Sequence, residues 1–147
     1  MKLHTASEVI GLAKKLENES AKFYQDLSQK YAKDEDVCLS FAKENGKNIV
    51  QIERAYYEVI TDAIEGCFAF GIEPDEYTFE TTLAEKASYS DALDKAIEME
   101  EKILKFYSAA AEQSKSLMAD VPRTFLMVAR KRDNRIPKLK SQVRSYG

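Results

Sequence analysis

The sequence predicts an all-α fold: a four-helix bundle with one long crossover between its second and third helices. Three observations carry this. Glycine and proline number only five and three in 147 residues, far below average usage, which argues against a β-protein built on tight turns. Apolar residues recur at helical spacing almost throughout. The stretches between the helical patterns are short, long, short, as a bundle with one crossover requires. A chain of this length is expected to form a single domain over 1–147 with a core large enough to fold alone.

The first helix is expected over about 6–32. Thr5-x-x-Glu8 has the spacing of a capping box, so the helix starts after Thr5. On a helical wheel Ile10, Ala13, Leu16, Ser20, Ala21, Tyr24, Leu27 and Tyr31 share one side, and Lys14, Lys15, Asn18, Lys22 and Gln25 lie opposite. The second helix is expected over about 35–65, with Asp34 as N-cap. Its apolar side is Cys38, Ala42, Ile49, Ile52, Tyr56, Ile60 and Ala63, and Gly66 and Gly71 end it. The crossover spans about 66–88, with a turn at Ile72-Glu73-Pro74-Asp75 and a short helix over 78–86. The third helix runs over about 89–116, starting near Ser88 or Ser90. The fourth runs over about 121–145 with Pro122 in its first turn, where a missing N–H costs little. Pro137 is expected to kink this helix or end it early, because its ring opposes the carbonyl four residues back.

The composition excludes several chemistries. One histidine, His4, leaves no pair of His ligands, and two cysteines, Cys38 and Cys67, rule out a four-cysteine zinc or rubredoxin-type iron centre. A helix joining the two cysteines places them roughly 40 Å apart, so no disulfide forms within the chain. The net charge of −3 gives no bulk attraction to nucleic acid. The charge is uneven, however. From Arg130 onward seven basic residues stand against Asp133, a balance of +6, so the preceding 129 residues carry −9. No apolar run approaches the length of a membrane span. The start of the chain lacks the apolar core of a signal peptide. The expectation is a cytoplasmic protein.

The chain repeats itself. Ala13–Tyr24 (AKKLENESAKFY) aligns with Ala96–Tyr107 (AIEMEEKILKFY) at an offset of 83, with five of twelve positions identical. Glu17 and Glu100 are the informative pair. On the wheel each falls inside an apolar face, Glu17 between Ala13, Tyr24 and Ile10, and Glu100 between Ala96, Tyr107 and Leu93. Glu19, Glu98 and Glu101 point outward. A carboxylate among apolar neighbours is costly unless it is paired or binds a metal. Two at equivalent positions imply one shared site between helices 1 and 3.

Ala-x-x-x-Glu with Tyr seven residues after the Glu, twice in a four-helix chain, resembles the rubrerythrin-like branch of the ferritin-like superfamily over essentially the whole chain. The resemblance implies a di-iron site: one Glu each from helices 1 and 3, and a Glu-x-x-His motif from helices 2 and 4, set three residues after a small Ala. The departures are as informative as the match. Helix 2 supplies Ala42, and the expected Glu and His fall on Asn45 and Asn48. Helix 4 supplies Ala129, and they fall on Arg132 and Arg135. Leu39/Leu126, Ile49/Ile136 and Ile52/Leu139 coincide at an offset of 87 and support this register. On the wheel Asn45 and Arg132 lie within apolar faces, and Asn48 and Arg135 at their edges. Glu44-x-x-Lys47 mimics the motif one residue earlier, but both residues point to the polar side. The position of a further helix-3 acid holds Ile103, and no rubredoxin domain is expected, since the two cysteines cannot build its iron centre. Glu53 on helix 2 is the remaining core-facing acid, available as an odd carboxylate or to pair with a cation.

The six positions that would hold the irons thus carry Glu17, Asn45, Asn48, Glu100, Arg132 and Arg135, whose charges sum to zero. Arg forks match carboxylates well. The expectation is a salt-bridged core with no cofactor, and a non-catalytic structural or interaction role. The alternative is a di-iron-type oxidoreductase, peroxidase or iron-handling protein, holding iron or another divalent metal on Glu17, Glu100 and Glu53 together with groups from a partner subunit. Tyr24 and Tyr107 read as core aromatics, or as redox tyrosines beside a metal. The basic residues Arg130, Lys131, Lys138 and Arg144, with Tyr146, read as a solvated helix face rather than a nucleic-acid patch. The crossover around Phe68 and Phe70 is apolar enough to cover the bundle end or enter an interface. The expected partner is a second copy of the chain, as a homodimer or other homo-oligomer, with no membrane.

Overall fold

The computed structural model describes residues 2–31, 34–59, 70–115 and 120–146. Among these the chain is all-helical apart from an isolated bridge, with four long helices: α1 (Ala6–Lys30), α2 (Glu35–Val59), α3 (Tyr89–Gln113) and α4 (Asp120–Tyr146). α1 packs on α2 and α3 on α4, and the two pairs join chiefly where α2 lies against α4. Arg135 reaches residues 41–45 of α2 while Lys131 reaches residues 48–51, so α2 and α4 run antiparallel.

The helix starts follow their sequence signals. Thr5 forms the reciprocal capping box with Glu8, and Ser88 does the same with Asp91. Each box satisfies donors that the first turn otherwise leaves open. Asp34 precedes α2 in the left-handed region (φ 56°), and its carbonyl accepts from Cys38. Asp tolerates this conformation better than most residues.

The described structure differs from expectation at the ends of α1 and α3, at Pro137 and over 78–86. α1 stops at Lys30, where Tyr31 takes an extended conformation, and α3 stops at Gln113 with Ser114 as its cap. The expected extension of α2 over 60–65, with Ile60, Ala63, Gly66, Cys67 and Phe68, lies outside the described residues. Pro137 does not end α4, which continues to Tyr146. Proline is on the exposed side there, where the carbonyl it frees can meet water. No helix forms over 78–86; a 3-10 turn at Pro74–Tyr77 precedes an irregular segment. Side chains from the bundle capture that segment's carbonyls: Lys95 on Thr82, Lys30 on Ala84 and Glu85, and Tyr31 on Ala87. Those acceptors are therefore satisfied without a helical ladder.

The N-terminal segment is tied to the same crossover. Leu3 and Ile72 exchange both backbone hydrogen bonds, and the His4 ring bonds the Phe70 carbonyl. The single histidine thus holds two segments together outside the helical core.

Candidate functional site: a buried Glu–Arg cluster

The core faces converge on a polar centre. Glu17 on α1, Asn45 and Asn48 on α2, Glu100 on α3, and Arg132 and Arg135 on α4 are all at most 1% exposed. The two helix repeats therefore place all six sequence-derived positions together. Asn48 and Arg135, expected at the edges of their faces, are as buried as the rest. The wheel misplaced them because α2 and α4 pack against each other and cover that flank.

Arg132 is the hub. Its Nη1 donates to both oxygens of Glu100 at 2.9 Å and to Ser20 Oγ at 3.0 Å, and its Nη2 donates to Glu17. Asn48 Nδ2 donates to the other oxygen of Glu17 at 2.8 Å. Asn45 Nδ2 donates to Ser20 Oγ at 3.0 Å. Arg135 completes the network. Its Nη1 reaches Glu100 at 3.1 Å, and its Nη2 reaches Asn45 Oδ1 at 2.7 Å and the Phe41 carbonyl at 3.0 Å. Its guanidinium also lies over the rings of Phe41 and Tyr24, at 4.6 and 5.6 Å, a favourable place for a cation.

Two participants escaped the sequence reading. Glu44 was expected to face solvent, yet it bonds Arg135 at 2.8 Å from the surface side. Lys131 was expected on the exposed basic face, yet its Nζ reaches Asn48 Oδ1 and Gln51 Oε1 at 3.4 and 3.2 Å. Long stems let both heads reach inward from half-exposed positions. Charges then alternate along one path: Glu44, Arg135, Glu100, Arg132, Glu17 and, through Asn48, Lys131. The sum is again zero. Glu53 moves the other way. It is half-buried on the α1–α2 seam and pairs with Lys14 at 3.6 Å, so it does not face the core.

Burial sets the protonation behaviour. It pushes the Glu100 carboxyl up to about 6, against the opposing pull of Arg135 and the Tyr24 hydroxyl. It lowers the Arg132 guanidinium, and the Arg135 charge adds to this; the carboxylates bonded on both sides keep Arg132 charged. For Arg135 burial acts in the same direction, but Glu100, Tyr24 and Glu44 outweigh it and hold the guanidinium above its ordinary value.

The repeat symmetry breaks at the tyrosines. Tyr24 OH donates to Glu100 Oε2 at 2.5 Å. Tyr107, its equivalent, is fully buried with no hydrogen-bond partner among the described residues, and Arg132 Nε shares that condition. Burial raises both phenols. Ser20 shows the same asymmetry, since its equivalent is the apolar Ile103. The polar half of the centre thus leans toward α1.

The cluster's donor set does not fit a di-iron centre. Both buried carboxylates are engaged by guanidinium groups, and no histidine is near. Among the described residues no three His, Cys, Asp or Glu side chains form a group that could hold a metal ion. Cys38 is buried and free, its thiol pushed up to about 11 by burial and then by Asp34. A hollow of about 510 Å³ between α1 and the crossover is lined by Lys22, Phe23, Asp26 and Thr81, among others, and by none of the cluster residues. No described helix is long and apolar enough to cross a membrane.

Comparison with known proteins returns no matching family model, no matching curated protein and no matching solved structure. Fold and site therefore define, among the described residues, a helical bundle of four long helices around a buried, charge-balanced Glu–Arg centre.

Proposed function

We propose that this chain is a ferritin-like bundle of the rubrerythrin type whose di-iron site has been replaced by Glu–Arg pairing, and that its role is structural or interactive rather than catalytic. The observation that carries the reading is the position of Arg132, whose guanidinium bridges Glu17 on α1 and Glu100 on α3. Those are the residues at which the resemblance expects metal. A guanidinium there supplies the positive charge that the carboxylates need and offers no open coordination position. Among the described residues, burial keeps the Cys38 thiol protonated, and the Tyr24 hydroxyl is engaged with Glu100.

The test is metal analysis of protein purified without chelator, followed by Fe(II) titration under air with absorbance read in the near ultraviolet. Substoichiometric iron, manganese and zinc, and no growth of ferric absorbance beyond the uncatalysed rate, are expected. Stoichiometric metal that disappears in Glu17→Gln would overturn the reading.

A further inference from the structure

The outer side of α2 carries an apolar line that the bundle does not use. Among the described residues four large apolar side chains are exposed, and three lie on this helix: Leu39 (43%), Val50 (53%) and Tyr57 (64%). The ring of Tyr57 lies 5.4 Å from that of Tyr56. With Lys43, Gly46 and Glu53 these residues follow a 4-3-4-3-4 spacing, which is a single seam at the period of a helix-pairing interface.

Gly46 lies in the middle of that seam. A glycine within a helix weakens it relative to alanine. Nothing among the described residues requires one here: a Cβ at Gly46 would meet no atom of theirs within 4 Å, and no positive φ is involved. A residue that gives up helix stability at an exposed position suits the close approach of something outside the chain.

We propose that the occupant is a second copy of this chain, with the two α2 helices antiparallel about a two-fold axis at the level of residue 48. The seam is self-complementary in that arrangement. Leu39 meets the partner's Tyr57, Gly46 receives the partner's Val50, and Lys43 meets the partner's Glu53; the two-fold axis repeats each pair. Lys43 makes no ion pair among the described residues, and Glu53 has only the longer contact to Lys14, so both charges are available across the axis. A parallel pairing sets Lys43 on the partner's Lys43 and Glu53 on the partner's Glu53, which repel. The equivalent seam on α4, at the offset of 87, fails the same test. There Arg130 would meet a second copy's basic position at 140, and Leu126 its basic position at 144. The self-complementarity belongs to α2 and does not depend on what fills the core, because the seam lies on the side of α2 away from Asn45 and Asn48.

The experiment is light scattering coupled to size exclusion over a concentration series of the full chain. The parent is expected at twice its 16.7 kDa chain mass. Lys43→Glu sets acid against acid at both ends of the seam, and Glu53→Lys sets base against base. Each alone is expected to run as a folded monomer, with helical circular dichroism unchanged. Mixing the two variants restores opposite charges in every layer and is expected to return the dimer. A parent that stays monomeric at every concentration overturns the proposal. So does a dimer that survives Lys43→Glu, or a mixture of folded variants that fails to associate.

Discussion

Replacing Arg132 by alanine isolates the central pairing. The substitution removes the Nη2 contact to Glu17, the two Nη1 contacts to Glu100 and the contact to Ser20. The carboxylates then fare differently. Glu100 keeps Arg135 and the Tyr24 hydroxyl. Among the described residues Glu17 keeps only Asn48 Nδ2, a neutral donor, and it sits in a fully buried position. Stranding one buried charge in this way costs about 3–5 kcal/mol. That is a large part of the roughly 5–15 kcal/mol that stabilises an ordinary domain. The assay is urea unfolding followed by circular dichroism at fixed protein concentration and neutral pH. The double variant Arg132→Ala/Glu17→Gln separates stranded charge from lost packing. If the charge dominates, the second substitution recovers more than about 1 kcal/mol although it removes a further native group. A single variant within about 1 kcal/mol of the parent, or a double variant no more stable than the single, would refute the pairing argument.

Arg135→Ala is expected to cost less than Arg132→Ala in the same melts, because Glu100 retains both Arg132 bonds and Glu44, being half-exposed, can be hydrated; the reverse order would refute the assignment of Arg132 as hub. Tyr24→Phe removes a hydrogen bond to a buried carboxylate and should cost about 1.5–3 kcal/mol. Tyr107→Phe removes a buried hydroxyl that has no described partner, and should be neutral or slightly stabilising despite its equivalent place in the repeat. Equal losses for the two would contradict the broken symmetry. Glu100 should titrate near pH 6 by carbon NMR, above its ordinary 4.5. Between those values the folded chain holds a proton that the unfolded chain does not. This group's unfavourable contribution is therefore full above pH 6 and is relieved as the pH falls toward 4.5. Tyr24→Phe should move the midpoint higher still, since that hydroxyl favours the ionised form; a midpoint at or below 4.5 in the parent would refute the dominance of burial.

The site was legible in the sequence to an unusual depth because the chain repeats. Glu17 and Glu100 fall inside apolar faces at equivalent positions, and a buried charge on a helical wheel is conspicuous in a way that a buried leucine is not. Arg132 came from the resemblance, as the helix-4 position three residues after Ala129, and the wheel placed it on an apolar face where a cation requires an anion within reach. Glu44 and Lys131 were illegible for the opposite reason. Both stand on polar faces, where a wheel predicts solvent, and only the approach of α2 to α4 turns their flexible stems toward the cluster. The short helix expected over 78–86 failed because its composition is helix-compatible while its carbonyls find Lys30, Tyr31 and Lys95 instead.

What the sequence determined by itself is the set of local and periodic features: four amphipathic helices, the capping box at Thr5, and the charge-neutral composition of the core positions. These depend on spacing along one chain, and spacing is preserved in the sequence. What only the tertiary structure decided is which partner each charge takes. Arg132 bridges α1 and α3, Arg135 turns toward Glu44 and Phe41, Tyr24 finds Glu100, and Tyr107 finds no described partner. Those choices depend on distances of a few ångströms between helices, set by how their side chains interlock, and a period along the chain carries no information at that scale.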